Sequence, residues 1–182
     1  MQRADVMVLR ACVLQCSRDV FSACSIPIDP CVVDVAELGM TGQVATFIGF
    51  GGALLRGTLT LVAPYALLHD AYPIPPRGGA QVSEAEVLDW SGELSNQLLG
   101  RIKNKLAARG VELMASTPKA MRVEQPRIQG STSMTVCALL FHSGDARLGV
   151  WFDAVASREE ALFASTEGPV EECQMEGEMM LF

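Results

Sequence analysis

Charge is scarce in this chain: charged residues are only 19% of its 182 residues, below the roughly 25% of an average soluble domain. Together with 49% hydrophobic residues, that scarcity excludes disorder for the bulk of the chain, because so apolar a composition can bury enough surface to offset chain entropy. Lys and Arg number 14 against 21 Asp and Glu and form no stripe. A nucleic-acid partner, which needs clustered cations to neutralise phosphates, is excluded. Long apolar runs are missing too, since Arg10, Arg56 and Arg77 break the oiliest stretches well short of the ~20 residues of a membrane-spanning helix. Histidine is nearly absent. His69 and His142 have no nucleophile partner, and no Gly-x-Ser-x-Gly elbow accompanies them, so hydrolase triads drop out. Gly49-Phe50-Gly51-Gly52 lacks the Lys-Ser/Thr of a phosphate loop and the third Gly of a dinucleotide fingerprint; a hairpin turn accounts for it.

The acid excess is confined to one end. Residues 157–182 carry seven Glu and one Arg, whereas residues 1–156 carry 14 acids and 13 bases. The expected organisation is a single domain over 1–156, long enough for its own core, and an acidic, Met-rich tail over 157–182. Glu171 to Phe182, ending Met-Met-Leu-Phe, reads either as a docking peptide for a partner groove or as an end that is disordered or packed on its own domain. Asp5 and Arg10 stand where a secretory signal needs an unbroken apolar core, so the expected compartment is the cytoplasm. The six cysteines then read as reduced core thiols. Cys12 and Cys16 share a helix face, but a zinc site needs two further ligands at a supporting spacing, and the histidines lie far away in sequence.

Val6, Leu9, Val13, Cys16, Val20 and Cys24 recur every three or four residues and predict an amphipathic helix over 5–23, ended by Pro27 and Pro30. Val32 to Val35 reads as a short strand. Gln43–Phe50 and Ala53–Val62 read as strands joined by Gly51-Gly52, and Pro64 to Tyr72 as a short helix opened by its proline. Residues 73–82 form a Pro/Gly-rich loop. The longest helix opens at the capping box Ser83-Glu84-Ala85-Glu86 and runs to Arg109, stopped by Gly110. Glu112–Ser116 is a further strand, and Ser131–Phe141 and Leu148–Val155 pair across His142-Ser143-Gly144-Asp145. Helices interspersed with hairpins imply an α+β fold, an antiparallel sheet with long amphipathic helices packed on it.

One constellation stands out on the long helix. Val87, Trp90, Leu94, Leu98, Ile102 and Leu106 make an apolar stripe for the sheet. Asp89, Glu93, Asn96 and Gly100 fall on the opposite side, with Glu93 and Asn96 neighbours at i, i+3 and Gly100 leaving a notch beside them. Asn and Gly are poor mid-helix residues, and the only two Asn of the chain, Asn96 and Asn104, both stand here. Pattern alone still favours a merely solvated face over a functional one.

Asp89-Trp90-Ser91-Gly92-Glu93-Leu94-Ser95-Asn96, followed after 21 residues by Pro118, resembles the signature of the CheC/CheX/FliY family of chemotaxis phosphatases: Asp or Ser, three residues, Glu, two residues, Asn, then some twenty-odd residues to Pro. The order of hairpins and helices over roughly residues 5–155 is similar as well. Only one Glu–Asn pair is present, since the N-terminal helix offers Asp19 but no Glu-x-x-Asn, so the chain is most similar to CheX, whose members tend to be homodimers. The resemblance implies a phosphatase for the aspartyl phosphate of a CheY-like response regulator. In it Asn96 would orient the attacking water, Glu93 would pair with a lysine of the regulator, and Asp89 and Pro118 would shape the surface. It implies no cofactor of the chain's own, the Mg²⁺ being the regulator's. The alternative is a non-catalytic adaptor of the same fold that binds a regulator, a flagellar-switch protein or a receptor-array protein.

Overall fold

The computed structural model describes residues 1–31, 43–73, 81–124, 135–157 and 162–163. The elements are α1 (Arg3–Ala23), β1 (Asp29–Cys31), β2 (Gln43–Gly51), β3 (Leu55–Pro64), α2 (Tyr65–Asp70), α3 (Glu84–Ala107), β4 (Met114–Ala115), β5 (Lys119–Val123), β6 (Thr135–Ser143) and β7 (Ala146–Ala156). The fold is α+β, as expected. One antiparallel sheet runs β1-β6-β7-β3-β2-β4, with β5 also on the outer edge of β2.

The connectivity has an internal symmetry that the sequence does not display. Each half is a helix, a following strand and a long hairpin. The second hairpin strands, β3 and β7, pair along the middle of the sheet. The strand that follows each helix pairs with the other half's hairpin: β1 with β6, and β5 with β2.

Alternation along the strands sends one set of side chains to the helices. Val44, Ile48 and Phe50 of β2, Leu59 and Leu61 of β3, Phe141 of β6 and Val150 and Phe152 of β7 join Leu9, Val13, Val20, Leu94, Leu98 and Ile102 in one core. Phe50 and Phe152 stack with ring centroids 4.7 Å apart. On the opposite face of the sheet Ala45, Val62, Leu140 and Trp151 form a small second cluster. Gly149 is needed there, because a Cβ on it would lie 2.2 Å from the Trp151 indole.

The capping box opens α3 as the sequence predicts. The Ser83 hydroxyl and the Ser83 amide donate to Glu86 Oε2 at 2.6 and 2.8 Å and together hold the Glu86 carboxyl below its ordinary pKa, while the Glu86 amide donates back to Ser83 Oγ at 3.3 Å. The helix stops two residues earlier than expected. Gly110, at φ +79°, lets the Val111 amide turn back to the Leu106 carbonyl at 3.0 Å, a Schellman closure that needs a left-handed residue.

Further expectations change: the first hairpin turns over Gly52, Ala53 and Leu54, since Gly51 belongs to β2 and pairs with Arg56. The last hairpin is tighter than predicted: Ser143 pairs with Ala146, so the turn is Gly144-Asp145 and His142 belongs to β6. Strand β5 was not anticipated, since Lys119, Met121 and Arg122 make it an exposed edge with no apolar alternation. After β7, Leu162 and Phe163 pack against the core, and the Leu162 amide donates to the buried Asp5 carboxylate at 3.0 Å. The strand expected over 32–35, most of the loop 73–82 and the tail from 164 onward lie outside the described residues.

Helix α3 sits on β2 through small residues. Ser91 and Ser95 are fully buried; the Ser91 hydroxyl hydrogen-bonds that of Thr46 on β2, and Ser95 Oγ donates to the Ser91 carbonyl at 3.1 Å. Replacing Thr46 by Val strands the Ser91 hydroxyl, and urea unfolding is expected to show a loss of about 1–3 kcal/mol. Adding Ser91→Ala removes the orphan, so the double variant is expected to recover at least half of that loss. A double variant with the summed loss of the two singles would show that the pair does not interact.

Candidate functional site

The four residues singled out in the sequence meet in one place. Asp89, Glu93 and Asn96, on successive turns of α3, face Thr117, Pro118 and Ala120 across a groove of about 430 Å³, whose remaining walls are Ala85, Leu88 and Gly92. Asp89, Glu93 and Asn96 are exposed, while Val87, Trp90, Leu94, Leu98, Ile102 and Leu106 behind them are buried. The helical period alone thus aims the polar residues away from the sheet.

The far wall is held by backbone. The Gly49 amide of β2 donates to Ser116 Oγ at 2.9 Å and the Ser116 amide donates to the Gly49 carbonyl at 2.8 Å, which places Pro118 over the helix. Arg122 of β5 links this wall to both α2 and α3. Its guanidinium lies 3.5 Å from Glu84 at the start of α3 and 4.3 Å from the Tyr65 ring centroid of α2. Gly92 forms the floor beneath Pro118, whose Cγ is 3.6 Å from where a Gly92 Cβ would be.

Within the groove the polar groups differ in freedom. Gln97 Nε2 donates to Glu93 Oε1 at 3.0 Å, an i, i+4 bond that restrains the carboxylate and leaves Oε2 open. The Asn96 carboxamide makes no hydrogen bond among the described residues, so both its donor and its acceptor face solvent. Such a group can hold a polar guest at a fixed orientation without changing charge over the working pH range. Gln97, Gly92 and Thr117 were not picked out beforehand; the i, i+4 spacing of Glu93 and Gln97 was the one visible signal. Gly100 lies outside the groove lining, and nothing comes within 4 Å of its missing Cβ. The notch that matters is at Gly92, because the loop carrying Pro118 crosses the helix there.

A family model described as chemotaxis phosphatase CheX matches residues 44–142. The chain belongs to the CheX family. No curated protein matches it, but its fold is similar to several solved members. The chemotaxis protein CheX from Vibrio vulnificus shares 20% identity at a TM-score of 0.65, covering 81% of this chain and 96% of its own. A chemotactic CheC-like protein from Shewanella oneidensis MR-1 shares 22% identity at a TM-score of 0.65, covering 80% of this chain and 96% of its own. The CheX of a CheX–CheY–BeF3–Mg²⁺ complex from Borrelia burgdorferi shares 15% identity at a TM-score of 0.57, covering 78% of this chain and 94% of its own. The matched segment carries β2 through β5, and hence every residue of the groove. Among the described residues of this CheX-family chain no helix is long and apolar enough to cross a membrane.

Gly92→Ala places a methyl at ordinary contact distance from Pro118 and removes a helix-weakening glycine, worth up to ~1 kcal/mol. Thermal unfolding of that variant is expected about 2–4 °C higher. A fall of the same size would mean that Pro118 does not yield.

Proposed function

We propose that this chain is a phosphatase for the aspartyl phosphate of a CheY-like response regulator. The observation that carries the reading is the unpartnered Asn96 carboxamide, one turn from a restrained Glu93, at the open face of a groove backed by Pro118. Family membership supports it, as does the likeness in fold to a CheX solved together with CheY.

The reaction is hydrolysis of an acyl phosphate. Water attacks phosphorus, the bond from phosphorus to the regulator's carboxylate oxygen breaks, and inorganic phosphate leaves. An enzyme contributes to such a step mainly by placing the water in line and stabilising spread charge. Asn96 does the placing: its carbonyl accepts a hydrogen from the water while its NH₂ is free to donate to a phosphoryl oxygen. Glu93 Oε2, left open by the Gln97 bond, pairs with a lysine of the regulator and fixes the docking register through a charge-assisted contact. Asp89 adds a second carboxylate to the acidic wall, and Pro118 keeps the helix at the right height. In this reading the Mg²⁺ of the reaction is the regulator's.

Phosphate release from regulator charged with acetyl phosphate tests this directly. Asn96→Ala is expected to cut turnover about 100-fold with docking little changed. Glu93→Ala is expected to weaken docking about 10-fold, as the loss of one exposed charge-assisted hydrogen bond. Gly92→Ala, though more stable, is expected to be slower because its methyl fills the groove floor. Wild-type binding with no added phosphate release would support the adaptor reading instead, and unchanged turnover in Asn96→Ala would remove the mechanism.

A further inference from the structure

Helix α3 is electrically divided. Glu84 to Glu93 holds four acids and no base, whereas Arg101 to Arg109 holds four bases and no acid. Three of those bases, Arg101, Lys105 and Arg109, recur every fourth residue and make one exposed ridge. At 100° per residue the ridge stands roughly 140–180° around the helix from Asn96, while Lys103 stands about 20° from it. The ridge therefore runs away from the groove, on the side of α1: Lys105 Nζ lies 3.9 Å from Asp19 of that helix. Among the described residues Arg101 and Arg109 make no ion pair. The helix dipole accounts for cations in the last turn, but Arg101 precedes that turn.

The chain comes back to this ridge after β7. The Leu162 amide is held by the buried Asp5 carboxylate of α1 at 3.0 Å, and the Arg109 guanidinium lies 5.9 Å from the Phe163 ring centroid. The sequence after Phe163 carries Glu167, Glu171, Glu172, Glu176 and Glu178 and no base. From Arg109 to Arg101 is eight residues of helix, about 12 Å. Four residues of extended chain cover about 13 Å, so Glu167, four residues past Phe163, already reaches the far end of the ridge. A lone exposed ion pair contributes little. A segment tethered at Phe163, however, presents its carboxylates to the ridge at the high effective concentration of an intramolecular contact.

We infer that the acidic end of the chain, residues 164–182, docks along the Arg101–Lys105–Arg109 ridge of its own α3. Charge, reach and the anchor at Leu162 and Phe163 together name the occupant. Docked there, the tail is a strap on the α1–α3 seam rather than a peptide held out to a partner, and it leaves Glu93 and Asn96 open on the other side of the helix.

Carbodiimide coupling of the full chain tests this. The reagent condenses a carboxylate with a lysine amine in contact with it, with loss of one water, and the chain has only three lysines, Lys103, Lys105 and Lys119. Trypsin cuts after Arg158 and releases the tail joined to whichever lysine it meets, which mass spectrometry then identifies. Yields are scaled to the reactivity of each amine toward a small succinimidyl ester. The expected result is Glu167, Glu171 or Glu172 joined to Lys105 about tenfold more than to Lys103 or Lys119. Raising the salt from about 0.05 to about 0.5 M is expected to cut that product about fivefold, and so is the double variant Arg101→Ala, Arg109→Ala. A sample mixed from unlabelled and ¹⁵N-labelled chains is expected to join tail and lysine of one isotope only. Equal coupling to all three lysines, products of mixed isotope, or no product between the tail and Lys105 in the wild-type chain would overturn the proposal.

Discussion

How closely α3 lies on β2 sets everything the groove can do. A helix is held at a sheet by the side chains between them, and here those include two buried serines and a threonine, not only large apolar groups. The Thr46–Ser91 contact both satisfies two buried hydroxyls and lets the helix axis approach the strand. With α3 low on the sheet, the turn pinned by Ser116 to Gly49 can carry Pro118 over Gly92 and close the far wall. The same depth leaves Glu93 and Asn96 exposed along the groove.

The two long helices share one architecture but carry different chemistry. Each is followed by a strand that pairs with the other half's hairpin, and each packs on the same face of the sheet. Only α3 carries exposed Glu and Asn at i, i+3. Helix α1 instead meets α3 through packing and through Asp19, which lies 3.9 Å from Lys105 of α3.

Much of this was legible beforehand because periodicity is a strong signal over long elements. The stripe from Val87 to Leu106 gave the direction of α3, and with it the exposure of Asp89, Glu93 and Asn96. The Ser83–Glu86 box and Gly110 marked the ends of the helix to within two residues. What the sequence could not show depends on tertiary approach. Ser91 and Ser95 read as polar, yet both are fully buried and Ser91 bonds Thr46 of β2. Gly92 reads as a weak spot in a helix until Pro118 is seen above it. Strand β5 escaped because an edge strand with Lys119 and Arg122 needs no apolar alternation: it is held by β2 on one side and meets solvent on the other. The resemblance supplied the link to Pro118, which no local rule connects to Asn96.

The exchanged strands have a bearing on how the chain is made. Because β1 finds its neighbour in β6 and β3 finds its own in β7, neither half can complete a sheet alone. A ribosome that has released α1, β1 and the first hairpin has produced a sheet whose central edge is bare. It stays so until β7, the partner of β3, emerges. Folding of such a topology is governed by contacts distant along the chain, and is slow for that reason. Until β7 is available, the bare edge of β3 is open to pairing with another nascent chain.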